Sequence, residues 1–387
     1  MPAALCRKAG DHLRQTDSMK IALYNLTTTT SFGGIETFNI ELGKTLAKRG
    51  WTVHVYGGKA LQTPEIPGVS IFTYPFIKRD LIPDLGSRFR KFCERLSFGL
   101  HAFRDLTVRK YDYIYISKPY DLAVALLSAY YSGSKVIFGS QGTEFFAGYS
   151  YLVKKTDYLF SCSAFNASQV EEYSGVRPLV LPNGVDTGLF RPLSPELQIR
   201  KRLNISESER VVISACRLVG WKGIRYAIQG VAELIAKGYS IKYLVAGDGE
   251  EREQLETLAK EYRISDNVLF LGKIRNSDLP LYYSFSDIAV FPSVADETFG
   301  ISIAEAMACG VPVVSTMVGG IPEVVAEGAG LLTPPRDAHL LAEAIEVLLS
   351  DKLLREKTGD LARDRVVNSF SWDSVASSFE ALIGYRA

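Results

Sequence analysis

Cysteine is scarce in this 387-residue chain, and its five examples, Cys6, Cys93, Cys162, Cys216 and Cys309, are scattered, odd in number and without a Cys-x-x-Cys pair. That argues against a disulfide frame or a zinc knuckle and fits a reducing cytosol, so a cytoplasmic location is expected. Long apolar runs are missing too. Leu122 to Tyr131 is short and its continuation carries Ser132, Gly133 and Lys135, well below a membrane span. Residues 1–18 are polar apart from Ala3 to Cys6, which is not a signal-peptide pattern; a loosely ordered extension is expected there, with Met19 as a candidate start. Nor is there a large charge excess. The net charge is +1, with 47% hydrophobic and 22% charged residues, an ordinary globular composition that gives no sign of disorder.

The small net charge hides an asymmetry. Residues 1–185 hold 22 Lys and Arg against 15 Asp and Glu, a balance of +7, and the remainder carries −6. A basic half beside an acidic half suits one face to an anionic surface. The length exceeds one usual core, so two domains of about 180 residues each are expected.

Strand and helix patterns alternate through both halves. Lys20 to Leu26 reads as a buried strand, a Thr/Ser loop and Gly33-Gly34 follow, and Ile35, Phe38, Leu42 and Leu46 fall at helical spacing before a second strand at Thr52 to Tyr56. The paired glycines stand before a helix start, which is either a tight turn or an anion site. A turn-rich phrase, Leu181 to Pro192, reads as an interdomain linker. Beyond it the pattern repeats, with strands at Val211 to Ala215, Ile241 to Ala246, Val268 to Leu271 and Ile288 to Phe291. Such alternation predicts parallel sheets covered on both faces, and two such halves leave a cleft between them.

The stretch from Phe291 to Val314 organises the second half. It reads as a strand end, a polar loop with Asp296 and Glu297, an apolar helix from about Phe299 to Cys309, and a new strand at Pro312. One acid, Glu305, lies within that helix. A buried carboxylate needs an ion pair, a backbone hydrogen bond or a ligand with adjacent hydroxyls. Glu297 adds a second acid in the preceding loop, and Phe299, Gly300 and Ile301 offer the free amides of a helix start to an anion such as a phosphate. Upstream, Arg217 and Lys222 lie between a strand end and a helix start, either as surface charge or as partners for a diphosphate. Together these features suggest a sugar nucleotide.

The Glu-x7-Glu spacing, with Phe-Gly after the first acid and Glu-Ala-Met-Ala-Cys-Gly-Val-Pro-Val-Val around the second, resembles the retaining GT-B glycosyltransferases of the group 1 type. That resemblance runs from about residue 20 to the end. It implies an α/β fold of two Rossmann-like domains facing a deep cleft: an acceptor domain at 19–185, completed by a C-terminal helix at 371–387, and a donor domain at 186–370. It also implies a retaining, metal-independent enzyme that needs no cofactor and moves a sugar from a UDP- or GDP-type donor to a hydroxyl of a glycan or lipid-linked acceptor. Arg217 and Lys222 then stabilise the leaving diphosphate, Glu297 holds sugar hydroxyls and Glu305 the ribose. Gly33, Gly34, Phe299, Gly300 and Ile301 approach the phosphates, and Gly272 the nucleobase. Gln141, where many relatives carry His, and Glu144 fall on the acceptor or sugar side; an amide there cannot shuttle a proton. A non-catalytic sugar-nucleotide-binding subunit or a sugar-nucleotide epimerase are the alternatives.

Residues 78–110 carry nine basic side chains, Lys78, Arg79, Arg88, Arg90, Lys91, Arg95, Arg104, Arg109 and Lys110, interleaved with aromatic and aliphatic ones. The segment is either a core helix with a solvated basic face or a surface that lies on anionic lipid at the cytoplasmic side of a membrane. It contains no recognisable nucleic-acid module, so no nucleic-acid partner is expected.

Overall fold

The computed structural model describes residues 18–31, 33–60, 65–194, 197–326 and 328–385. The expected N-terminal extension, apart from Ser18, lies outside the described residues. The first sheet is built from β1 (Lys20–Tyr24), β2 (Thr52–Gly58), β3 (Val69–Tyr74), β4 (Tyr113–Ile116), β5 (Lys135–Ser140), β6 (Tyr158–Ser161) and β7 (Leu179–Val180), in the order β3-β2-β1-β4-β5-β6-β7. The second contains β8 (Arg210–Ala215), β9 (Ile241–Ala246), β10 (Val268–Gly272), β11 (Ile288–Phe291), β12 (Val313–Thr316) and β13 (Gly330–Thr333), in the order β10-β9-β8-β11-β12-β13. All these pairings are parallel. Their central strands are buried on both faces, which is why Ile-Ala-Leu-Tyr at 21–24 and Val-Val-Ile at 211–213 read as continuous apolar runs.

Helices cover both faces: α1 (Gly34–Lys48), α2 (Ser87–Val108), α3 (Leu122–Ser132), α4 (Tyr149–Val153) and α5 (Ala164–Ser174) in the first half. The second half follows with α6 (Leu197–Arg202), α7 (Ile224–Ala236), α8 (Arg252–Glu261), α9 (Leu279–Ser284), α10 (Ile301–Ala308), α11 (Ile321–Val324), α12 (Ala338–Ser350), α13 (Lys352–Ser369) and α14 (Trp372–Leu382). In each sheet the strand order reverses between the first strand and its later neighbour, β1/β4 and β8/β11. Ligands of open α/β sheets bind beyond the strand ends at such switch points.

The chain returns at its end to the first sheet. Ser371 caps α14 by accepting from the Ser374 amide, and Trp372, Val375 and Phe379 pack with Ile21, Phe38, Trp51 and Phe160. Glu380 accepts from Arg49 Nη2 at 2.6 Å and from Trp51 Nε1 at 2.9 Å, which fastens α14 to the turn after α1.

Local chemistry shifts some boundaries. The first strand stops at Tyr24 instead of Leu26, because Asn25 donates to Thr28 Oγ1 at 3.1 Å and turns the chain into a short 3-10 segment, Leu26–Thr29. The helix expected from Phe299 starts at Ile301, because Gly300 sits at φ +94°. Arg95, expected on a basic face, is buried instead: it donates to Asp121 Oδ2 at 2.5 Å and to Asn25 Oδ1 at 3.1 Å.

Candidate active site in the interdomain cleft

The strand ends of both sheets face a common cleft. Two cavities of about 660 and 430 Å³ share Gly34, Asn183, Cys216, Arg217, Ile301 and Ser302 in their walls. The larger runs past Ala246, Asp248, Lys273, Ile274 and Glu305, and the smaller past Trp221, Lys222, Glu297 and the 298–300 loop. Contacts cross the cleft at several points. Thr298 Oγ1 donates to the Gln141 carbonyl at 3.4 Å, and Glu323 takes the amides of Ala164 and Phe165, both at 2.7 Å, at the start of α5. Gly34 lies so close to α10 that a Cβ there would stand 2.8 Å from Ile301 Cδ1. A larger residue at position 34 would have to displace that methyl group.

The loop after β8 brings Arg217 to the cleft wall, exposed and without a hydrogen-bond partner among the described residues. Its shape depends on Gly247, at φ +139°, where a Cβ would stand 1.8 Å from the Cys216 carbonyl oxygen. Cys216 is enclosed at this turn, and burial pushes its thiol up to about 12, so it stays neutral. Lys222 ends a short 3-10 turn and donates to both carboxylate oxygens of Glu297 at 2.8 Å, with its ammonium 4.4 Å from the centre of the Trp221 ring. Ser293 Oγ adds a hydrogen bond to Glu297 Oε2 at 3.2 Å. The acid and the cation that the sequence placed in separate loops are therefore joined in one ion pair at the cleft wall.

The amides of Phe299, Gly300, Ile301 and Ser302 donate to no oxygen among the described residues, so the start of α10 presents an open anion-binding edge. One turn further, Glu305 has no hydrogen-bond or ion-pair partner among the described residues and lines the larger cavity. Loss of water around its carboxyl pushes its pKa up to about 8. The three explanations left open for this acid narrow accordingly. Among the described residues none satisfies the Glu305 carboxyl, and the cavity side is where a partner can reach it. Gly272 ends β10, and its carbonyl accepts from the Gly247 amide at 2.8 Å; the next residues, Lys273 and Ile274, form the cavity wall.

Across the cleft, Gln141 and Glu144 line a third cavity of about 240 Å³ with Ile35, Ser117, Lys118, Ser140 and Tyr149. Glu144 is held by Lys91 at 2.7 Å and Lys118 at 3.1 Å. Partial burial alone would raise its pKa, and the two ammonium groups outweigh that and bring it to about 2. Lys118, Tyr149 and Asn183 were not singled out from the sequence. Asn183 Oδ1 is buried at the cleft without a partner among the described residues, and its only signal was a place in the turn-rich phrase that also crosses between the sheets. Lys118 was marked only by following a buried strand in the first sheet.

Two Rossmann-like α/β domains, a cleft at their switch points, and acids, cations and open amides on one wall define a protein of the GT-B architecture. The profile of the family "Glycosyl transferases group 1" matches residues 196–365, and that of "Glycosyltransferase Family 4" matches 32–189. Anabaena HepE, solved in complex with UDP, has a similar fold, with a TM-score of 0.76 over 95% of this chain and 100% of that one at 22% identity. In sequence the chain is similar to the GDP-mannose-dependent monoacylated alpha-(1-6)-phosphatidylinositol monomannoside mannosyltransferase of Corynebacterium glutamicum, 30% identical over 295 residues, 70% of this chain and 76% of that protein. It is also 36% identical over 186 residues to the N-acetyl-alpha-D-glucosaminyl L-malate synthase of Bacillus anthracis, 48% of each chain. The chain spans about half the length of several such relatives. It belongs to the glycosyl transferases group 1 family.

Proposed function

We propose that the protein is a retaining glycosyltransferase that moves a sugar from a nucleotide-diphosphate-sugar donor of UDP or GDP type to a hydroxyl acceptor, in cell-surface polysaccharide or glycolipid synthesis. The observation that carries this reading is the wall formed by Arg217, Lys222, Glu297, the open amides of α10 and the unpartnered Glu305. A ribose diol suits Glu305, a diphosphate suits the amides with Arg217 and Lys222, and sugar hydroxyls suit Glu297. In the reaction, the acceptor oxygen bonds to the anomeric carbon as the carbon–oxygen bond to phosphate breaks. The bonding pair leaves on the diphosphate, and the acceptor proton passes to that phosphate on the same face. Arg217 and Lys222 carry the charge compensation that a divalent ion supplies elsewhere, which supports a metal-independent step. In this scheme Gln141 donates hydrogen bonds and moves no proton.

Proton NMR of the first product formed tests the stereochemistry: the donor's anomeric configuration is expected, and the opposite anomer refutes retention. Activity should also persist in chelator, and a complete loss restored by Mg²⁺ contradicts the metal-free step.

A cytoplasmic protein resting peripherally on anionic lipid completes the reading. Phe89, Phe92, Leu96 and Leu100 form an exposed apolar stripe on α2, and further along the same helix Phe103 meets Tyr131 of α3 at 6.3 Å between ring centres. Of the nine cations at 78–110, Arg79, Arg90, Lys91, Arg95 and Arg109 are ion-paired, while Lys78, Arg88, Arg104 and Lys110 are exposed without a carboxylate partner among the described residues. Four such cations in the segment that carries the apolar stripe contribute about 1 kcal/mol each at an anionic leaflet. Liposome flotation should recover the protein with anionic vesicles, and equal recovery with neutral ones contradicts this surface.

A further inference from the structure

The cavity of about 240 Å³ beside the GT-B cleft holds an excess of hydrogen-bond donors. Lys91 and Lys118 share one carboxylate, Glu144, so the triad has a formal charge of +1, and the two ammonium groups hold Glu144 in its ionised form. A single lysine would suffice to neutralise the acid. The shorter contact, 2.7 Å, is to Lys91 on α2, and the longer, 3.1 Å, is to Lys118, which faces the cavity. Tyr149, a residue 1% exposed, also lines this cavity, and its buried hydroxyl, next to Ser140, has no hydrogen-bond partner among the described residues. The Gln141 side-chain amide is likewise without a hydrogen bond among the described residues. The nearby serines are committed: Ser117 donates to Asn39 and Ser140 to the Gly142 carbonyl. An ammonium, a tyrosine and an amide thus surround one space, and the one carboxylate among its described lining residues is already ion-paired.

We propose that this cavity recognises the acceptor by an oxyanion, so that the substrate class is a hydroxylated acceptor bearing a phosphate ester or carboxylate near the hydroxyl that is glycosylated. The inference rests on reading the cleft as a glycosyl-transfer site. Lys118 provides the charge, Tyr149 and Gln141 the neutral donors, and Lys91 keeps Glu144 neutralised when Lys118 turns to the ligand. The first turn of α1, at Ile35, adds the positive end of a helix.

The test uses the full chain and a sugar-nucleotide donor that it binds, with release of nucleoside diphosphate as the readout. Soluble acceptors are offered in pairs, glycerol 3-phosphate against glycerol, inositol 1-phosphate against inositol, malate against butanetriol; a second arm offers phosphatidylinositol vesicles against vesicles of an uncharged glycosyl diacylglycerol. The charged member should be preferred in one arm, and that arm identifies the source as a soluble metabolite or a lipid headgroup. Lys118→Ala should raise KM for the charged acceptor about 10- to 100-fold, the scale of one charge-assisted hydrogen bond, while leaving the donor KM unchanged; Lys118→Arg should restore part of it. Tyr149→Phe should raise the same KM by a smaller factor. Equal use of charged and uncharged members, or a charged-acceptor KM that Lys118→Ala does not move, overturns the inference while leaving the transferase reading intact. Failure to bind any nucleotide overturns both.

Discussion

Binding of a nucleoside diphosphate should release a proton, and the source is Glu305. With its carboxyl at about 8 and an ordinary value of 4.5, the folded protein holds this proton across a range in which an unfolded chain has lost it. Stability of the free protein should therefore fall as pH rises from about 4.5 to about 8, since the folded state binds more protons there. At pH 7 the group is about nine-tenths protonated. A ribose diol donating two hydrogen bonds favours the ionised form and draws the pKa back down, so about 0.9 proton should leave on binding. Ionising Glu305 at pH 7 costs about 1.4 kcal/mol, and apparent affinity should improve about tenfold per pH unit until about pH 8, then level off. Calorimetry in two buffers of different ionisation enthalpy measures the released proton directly. Glu305→Gln serves as the control, because the titration of the ligand's terminal phosphate is common to both proteins and cancels in the difference. Identical proton release from wild type and Glu305→Gln would refute the carboxylate clamp; a neutral Glu305 donating to the ribose would give that result.

Other positions give independent checks. Arg217→Ala should lower kcat by about 10²-fold with normal folding, the scale for one transition-state donor, and unchanged turnover removes the guanidinium from the diphosphate. Gly247→Ala puts a methyl group 1.8 Å from the Cys216 carbonyl and should disturb the Arg217 loop, so nucleotide affinity measured by calorimetry should drop; unaltered affinity means that the loop does not position the ligand. Glu380→Ala leaves the buried Trp51 indole N–H without its partner and strips Arg49 of its acid, at a cost of roughly 2–3 kcal/mol. The apparent Tm should fall by about 5 °C or more, and an unchanged Tm shows that α14 is not held there.

The alternation of elements was legible because parallel strands covered on both faces are apolar over most of their length, as at 211–213 and 243–246. The acids and cations of the donor wall were legible as well, since each stands in a loop or helix where a charge needs a reason. Their pairing was not. Lys222 and Glu297 are 75 positions apart, and only the adjacency of β8 and β11 brings them to 2.8 Å. The same holds for Lys91, Lys118 and Glu144, which come from α2, the end of β4 and the loop after β5. Composition made 78–110 look uniformly basic, yet Arg95 points inward to Asp121, because helical periodicity sends alternate faces of α2 to core and solvent. The short α4 carried little pattern; its first residue, Tyr149, looks like ordinary core until its unpartnered hydroxyl is seen at a cavity.

The central claim is that this cleft holds a nucleoside diphosphate on the wall formed by Arg217, Lys222 and Glu305. A thermal-shift panel of UDP, GDP, ADP and TDP with their common sugar conjugates tests it most directly, because a ligand that binds only the folded state raises Tm. The account expects a selective rise with one nucleotide family in the wild type, reduced in Arg217→Ala. Folded protein whose Tm moves with none of these ligands would contradict it.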